Sequence, residues 1–145
     1  MTLNAGTLAD NLQAIGPQAT VAGAAAAWAS AVGSYAAGMV PVSTTAAAAT
    51  ATLQTALTTV FGWAQAAYGM EIVFATFATT LGVGMASAGF TGAPPVGSVG
   101  FAALFATPVA NAQDAAEAVA NAIHTWMTSG TAALIAPPNT VSSWA

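Results

Sequence analysis

Five side chains in this sequence can take part in acid–base or metal chemistry: Asp10, Glu71, Asp114, Glu117 and His124. The 145 residues contain no lysine, arginine or cysteine to act beside them. The chain therefore has no cationic group to hold phosphate, no Schiff-base lysine, no thiolate ligand and no basic patch for nucleic acid. We expect no metal, no other cofactor and no nucleic-acid partner.

His124 and Glu117 are the pair whose spacing comes nearest to that of an acid–base dyad. Seven residues apart on one helix, they share a face but lie two turns from each other. A catalytic base also needs a further group to orient it, and no residue at a suitable spacing supplies one. We predict that the chain is not an enzyme and that His124 is a structural polar residue beside Trp126.

Glu71 is the most unusual acid, because it lies between the aromatic residues Trp63 and Tyr68 and an apolar run that begins at Ile72. A buried carboxylate there would be a functional acid or the partner of a cation from another protein. Alternatively, an acid near a helix N-terminus is stabilised by the helix dipole and by backbone amides. We favour the second interpretation.

The elements that position these residues are predicted to be helices. Alanine, the strongest helix former, dominates the long segments, and larger apolar residues recur at spacings of three and four. Thr20, Asn111, Ser98 and the linker 41–45 offer N-caps, while 88–97 is rich in Gly and Pro and predicts a loop. The pattern predicts helices over about 5–15, 20–37, 46–61, 70–86, 99–105 and 112–129, with a break within 62–70 and an extended tail over 135–144.

The two ends of the chain resemble each other when one is shifted by about 91 residues. Each end reads as a short helix, a proline break, a capped long helix with an aromatic near its end, a glycine and a Pro/Thr linker. The matching landmarks are Pro17 with Pro108, Thr20 with Asn111, Tyr35 with Trp126 and Gly38 with Gly130. We predict a single all-α domain, a compact helical bundle of two similar units (1–45 and 98–145) around a central helix pair and loop (46–97), with an extended C-terminal tail.

The four tryptophans are divided by their surroundings into three core residues and one surface anchor. Trp28, Trp63 and Trp126 supply large apolar area and are expected in the core. Trp144 lies on the Pro-rich tail, where the local sequence offers no core, and is expected to contact a neighbouring protein. The predicted partner-binding residues are Trp144, Val141 and Glu71.

The composition indicates a surface that is covered by other protein or by lipid, since 57% of residues are hydrophobic and only 3% are charged. The uncharged stretch Ile72–Phe90 approaches the length of a membrane span. The absence of Lys and Arg, which fix topology in membranes, argues against insertion. The alternative hypothesis is a small integral membrane protein, holin-like or an envelope component, inserted through residues 72–90. The opening residues lack the basic segment of a secretory signal, and we expect none.

Three motifs carry a resemblance to a known group of proteins: LNAGTL at 3–8, ASAVGSYAAG at 29–38 and AIHTWMTSG at 122–130, which precedes a Thr/Pro tail. With these motifs the chain resembles small Ala/Thr/Gly-rich structural proteins of tailed bacteriophage virions. The resemblance implies a virion location, as capsid decoration or as a neck, tail or baseplate component. It also implies an oligomeric role, in which several copies bind other virion proteins through apolar helix faces and the tail. It implies no catalytic residues.

Overall fold

The computed structural model describes residues 2–145, and these fold mostly into helices. The helices are α1 (Ala5–Gln13), α2 (Val21–Ala36), α3 (Ala46–Val60), α4 (Ala66–Val83), α5 (Phe101–Ala106) and α6 (Ala112–Met127), with a 3₁₀ helix at Gly84–Ala88. The strands are β1 (Phe90–Ala93), β2 (Thr131–Leu134) and β3 (Val141–Ser143). A mostly helical fold is therefore confirmed, but the all-α description missed a small sheet.

Polar side chains begin the two long outer helices, as the sequence predicted. The Thr20 hydroxyl accepts a hydrogen bond from the Gly23 amide at 3.0 Å. The Asn111 side-chain oxygen accepts one from the Asp114 amide at 2.9 Å. Each cap satisfies one of the amides that a helix leaves unpaired in its first turn.

The linker before α3 does not cap α3, and that prediction was wrong. Thr45 makes no side-chain cap bond to its own helix. Its hydroxyl donates to the Thr80 carbonyl at 2.6 Å, and the Ser43 hydroxyl donates to the Leu81 carbonyl at 2.7 Å. These carbonyls lie in the last turn of α4, where the Gly84 amide is shared among the carbonyls of Thr80, Leu81 and Gly82, so each can accept a further donor. Lys or Arg often serves such carbonyls, and here hydroxyls from another segment do so.

The boundaries of the central helices differ from those predicted. The break is confirmed, because α3 ends at Val60 and α4 begins at Ala66. However, α4 starts four residues earlier than predicted and gives way to the 3₁₀ helix at Gly84. The helix α5 starts at Phe101 with Gly100 as its N-cap residue, so Ser98 does not begin it.

The sheet joins the predicted loop to the predicted tail. Its strand order is β1–β2–β3, with both pairs antiparallel. Phe90 pairs with Leu134, and Thr131 pairs with Ser143. The sheet lies directly on α4 because Gly92 has no side chain, since a Cβ built there would lie 2.6 Å from the Gly82 carbonyl oxygen. The tail is extended, as expected, but it is hydrogen bonded into the fold.

Two of the four tryptophans, Trp63 and Trp144, occupy different environments from those predicted. Trp126 is buried, and the half-buried Trp28 packs edge-on against Phe61 and Phe101, as core residues do. Trp63 lies in the turn between α3 and α4 and is 47% exposed, so its assignment to the core was wrong. Its ring instead covers Gly69, where an added Cβ would lie 2.8 Å from the ring.

Candidate docking groove

Trp144 is a core residue of its own chain, and the prediction that it has no local core was wrong. The side chain is fully buried. Its ring covers Gly130, where a Cβ would lie 2.6 Å from the ring, and its Nε1 donates to the Thr131 carbonyl at 2.9 Å. The core that it enters is distant in sequence and could not be seen from the tail alone. In this conformation Trp144 is not available to a partner.

The end of the chain is fastened by backbone hydrogen bonds. The Ala145 amide donates to the Val40 carbonyl at 3.0 Å, and the Val40 amide donates to the Ala145 carbonyl at 2.5 Å. Val141 lies on β3 opposite Ala133 and is 65% exposed. Of the predicted tail contacts, Val141 alone presents an apolar side chain on the surface.

Glu71 binds backbone amides, as favoured, but those of a different helix. It is the sixth residue of α4, beyond the first turn. Its carboxylate accepts hydrogen bonds from the amides of Val99 at 3.0 Å, Gly100 at 2.7 Å and Phe101 at 2.5 Å. These are the amides that begin α5, where negative charge is stabilised by the helix dipole. Glu71 is thus satisfied within the chain, and the geometry gives no support to its predicted role in binding a partner.

His124 and Glu117 do not form a dyad. The His124 Nδ1 is hydrogen bonded to the Tyr35 hydroxyl at 2.9 Å, with the two rings edge to face. Glu117 instead accepts a hydrogen bond from the Gln113 amide group at 2.9 Å. Burial raises the pKa of Tyr35 well above its usual value of 10. Within residues 2–145, no three His, Asp or Glu side chains come together as metal ligands would.

The surface feature best suited to binding is an apolar groove, here called the α1–α6 groove. It has a volume of about 460 Å³, within the range of ligand pockets in proteins. Its walls are the C-terminal end of α1, Trp28 of α2, the segment from α5 to Val109, and the first half of α6. The main lining residues are Leu12, Ile15, Trp28, Leu104, Phe105, Val109, Ala112 and Val119.

Two of the lining residues expose large apolar side chains to solvent. Phe105 is 51% exposed although its ring stacks on the buried Phe101 at 5.7 Å. Val109, just after Pro108, is 48% exposed. Both side chains line the groove, so they offer apolar surface that a bound ligand or protein would cover.

The helices that form the groove also carry carboxylates next to it. Asp10 lies three residues before the lining residue Gln13, and Asp114 lies four residues before the lining residue Ala118. Residues at these spacings are neighbours on a helix surface. Both acids are exposed, and the chain has no Lys or Arg to pair with them. The groove is therefore apolar inside and negative beside its walls.

This groove was not predicted from the sequence, because it forms where α1 and α2, near the start of the chain, meet α5 and α6, near its end. The local pattern around α5 gave one usable signal. Phe101 and Phe105 lie one turn apart and therefore on the same side of the helix Phe101–Ala106, yet only Phe101 is buried. Which ring faces the core is decided by the packing of α5 on α4.

No family model matches this chain, and neither a curated protein nor a solved structure matches it. Within residues 2–145, one helical segment is long and apolar enough to cross a membrane, Ala66–Ala88, and 56% of its most apolar window is buried inside the fold. Length and composition alone do not separate such a segment from the core helix of a globular domain.

Proposed function

We propose that this protein is a non-enzymatic structural component of a bacteriophage virion. In this role it binds neighbouring capsid or neck, tail or baseplate proteins, in several copies, through apolar helix faces. The observation that carries the proposal is the α1–α6 groove, an open apolar surface of the domain. All buried side-chain nitrogen and oxygen atoms in residues 2–145 have hydrogen-bond partners, as is typical of a native domain.

The character of the exposed surface supports an assembly role. Large apolar side chains are exposed on several sides of the molecule, among them Val83, Val96, Phe105 and Val141. The only charged groups available to keep such a surface hydrated are four acids, of which Glu71 is used internally. A surface of this kind is stabilised when other protein covers it.

We further infer that residues 1–45 and 98–145 are two related units. The support is that a shift of 91 residues matches the buried faces of α2 and α6, which are equally long. Buried residues coincide in five pairs: Ala25 with Ala116, Ala29 with Ala120, Val32 with Ile123, Tyr35 with Trp126, and Ala36 with Met127.

The alternative function is that of a small membrane protein inserted through residues 72–90. It is favoured by the length of the apolar segment Ala66–Ala88. It is disfavoured by the position of α4, whose residues Phe74, Phe77 and Leu81 are buried in the core of the domain. Insertion would require α4 to leave the partners that bury these side chains, and it would expose the core of the remaining helices to water.

Fractionation separates the two functions. Particles of the phage that encodes this chain are purified on a density gradient, host membranes are pelleted separately, and both fractions are quantified by mass spectrometry. We expect the chain in the particles at a fixed ratio to the major capsid protein. Recovery in the membrane fraction, with none in the particles, would establish the alternative and overturn the proposal.

A further inference from the structure

We propose that the α1–α6 groove binds a segment of a different protein that carries Leu- or Phe-like side chains beside Lys or Arg. The inference deepens the proposed function and rests on it, because it names the chemistry of the neighbouring protein. The apolar part of the segment would cover Phe105 and Val109, both about half exposed. Its cations would lie against Asp10 and Asp114.

Charge identifies the occupant as a different protein and not a second copy of this chain. A second copy has no Lys or Arg, so it would bring apolar surface and further carboxylates to the groove. Like charges that are brought together destabilise a complex, whereas complementary charges steer and orient it. The two acids beside the groove can be neutralised only by cations from another molecule.

The same charges disfavour the other ligands that an apolar groove can take. Nucleic acid and anionic lipid both bring negative charge to a chain of net charge −4. A small apolar molecule would fit the volume but would make no use of the negative charge of Asp10 and Asp114. A basic amphipathic segment would cover the apolar walls with its apolar face and place its cations beside the two acids. Helical segments of this kind commonly dock in grooves between helices.

The test uses the full chain, labelled with ¹⁵N, and a short synthetic helical peptide with Leu and Phe on one face and Lys on the other. One control peptide has Glu in place of Lys, and a second has Ser in place of Leu and Phe. Amide shifts locate the bound peptide, and titration gives its Kd at low and at high salt. We expect the Lys peptide alone to bind and to shift the amides of α1, α5 and α6 around the groove.

Variants of the chain make the test specific to the groove. Ala112→Leu fills the groove from an exposed helical position and should weaken binding about tenfold or more, the effect of losing one central contact. Ala51→Leu, an exposed alanine on α3 outside the groove, is the matched control and should bind like the parent. Phe105→Ala removes an apolar ring that lines the groove and should also weaken binding. Thermal melting verifies that each variant folds.

The acids are tested with the double variant Asp10→Asn and Asp114→Asn. Exposed ion pairs contribute little each, so binding should weaken only about 2- to 20-fold at low salt. Because salt screens such pairs, the difference should nearly vanish at high salt. An unchanged Kd at low salt would overturn the charge argument.

Several results would overturn the proposal as a whole: equal binding of the Glu peptide, shifts confined to another surface, or full binding by Ala112→Leu. Self-association that Ala112→Leu abolishes would assign the groove to a second copy. Binding of the uncharged dye Nile red in the groove, without any peptide binding, would assign it to a small apolar ligand. If the peptide binds as expected but the chain is missing from particles, only the proposed virion function fails.

Discussion

Glu71 joins two helices whose contacting residues are at least 28 positions apart in the chain. The Glu71 carboxylate accepts hydrogen bonds from three backbone amides, and it thereby replaces the N-cap side chain that the local sequence of α5 does not provide. Hydrogen bonds to charged groups are among the strongest in proteins. A single acid therefore positions α5, and with it the Phe105 wall of the α1–α6 groove.

Replacing Glu71 tests this role. We expect Glu71→Gln to lower the free energy of unfolding by about 1.5–3 kcal/mol, because hydrogen bonds to a charged acceptor become bonds to a neutral one. The exposed Glu117→Gln is the matched control and should change it by less than about 0.5 kcal/mol. Urea unfolding measures both. Equal midpoints for the two variants would contradict the assignment.

Tyr35 gives the molecule a dependence on alkaline pH. Burial raises its pKa in the folded state, so the folded protein keeps this proton when the unfolded chain loses it near the usual value of 10. The folded state then binds more protons, and stability falls as pH rises, by about 1.4 kcal/mol per pH unit above 10.

The Tyr35→Phe variant has no such proton and should lose the slope, although it also loses the hydrogen bond to His124. Urea unfolding between pH 8 and pH 11 measures the slope. The chain has no lysine, whose side chain would otherwise titrate in the same pH range. A parent chain whose stability is flat to pH 11 would contradict the prediction.

At the scale of elements, the C-terminal strand acts as an internal fastening. The strand β3 pairs with β2, the chain end pairs with Val40, and Trp144 fills the space above Gly130. The tail is therefore part of the folded unit. Its removal would expose the core, so it would destabilise the domain itself.

Two tryptophan variants separate an internal role from an external one. We expect Trp144→Ala to lower the free energy of unfolding by about 3–5 kcal/mol, as the loss of a large buried ring does. Trp63→Ala, which removes a ring that is 47% exposed, should have a much smaller effect. Thermal unfolding measures both. A parent-like melting temperature for Trp144→Ala would show that the tail does not stabilise the domain.

At the scale of the whole molecule, the lack of Lys and Arg leaves the chain without the net positive charge that most proteins carry in acid. The isoelectric point of the sequence is about 4.1. Below it, the 145-residue chain can gain positive charge only from His124 and its terminal amine. Charge repulsion, which keeps proteins soluble, is then nearly absent.

We therefore expect the solubility of the chain to reach a minimum near pH 4 and to stay low on further acidification to pH 2. Most proteins become soluble again there as they gain positive charge. The measurement is the soluble fraction after centrifugation between pH 2 and pH 8. Full recovery of solubility at pH 2 would contradict the prediction, because it would require a charge that the chain does not have.

The sequence by itself determined that the chain is mostly helical and where α2 and α6 start. Alanine content, apolar periodicity and the caps Thr20 and Asn111 are local properties, so they act on neighbouring residues and can be read along the chain. The same local information identified the break before α4 and the extended form of the tail. It also indicated that Glu71 binds backbone amides.

Tertiary structure decided which partners these residues have. The Glu71 carboxylate accepts hydrogen bonds from the first amides of α5 and not from those of its own helix. Ser43 and Thr45 donate to carbonyls at the end of α4. Trp144 is buried, whereas Trp63 is not. The sheet and the α1–α6 groove likewise join segments that are distant in the chain. Such contacts form because buried polar groups must be paired and apolar surface must be covered. The residues that meet these requirements are neighbours in space but distant in the sequence, so the sequence alone does not show which residues will pair.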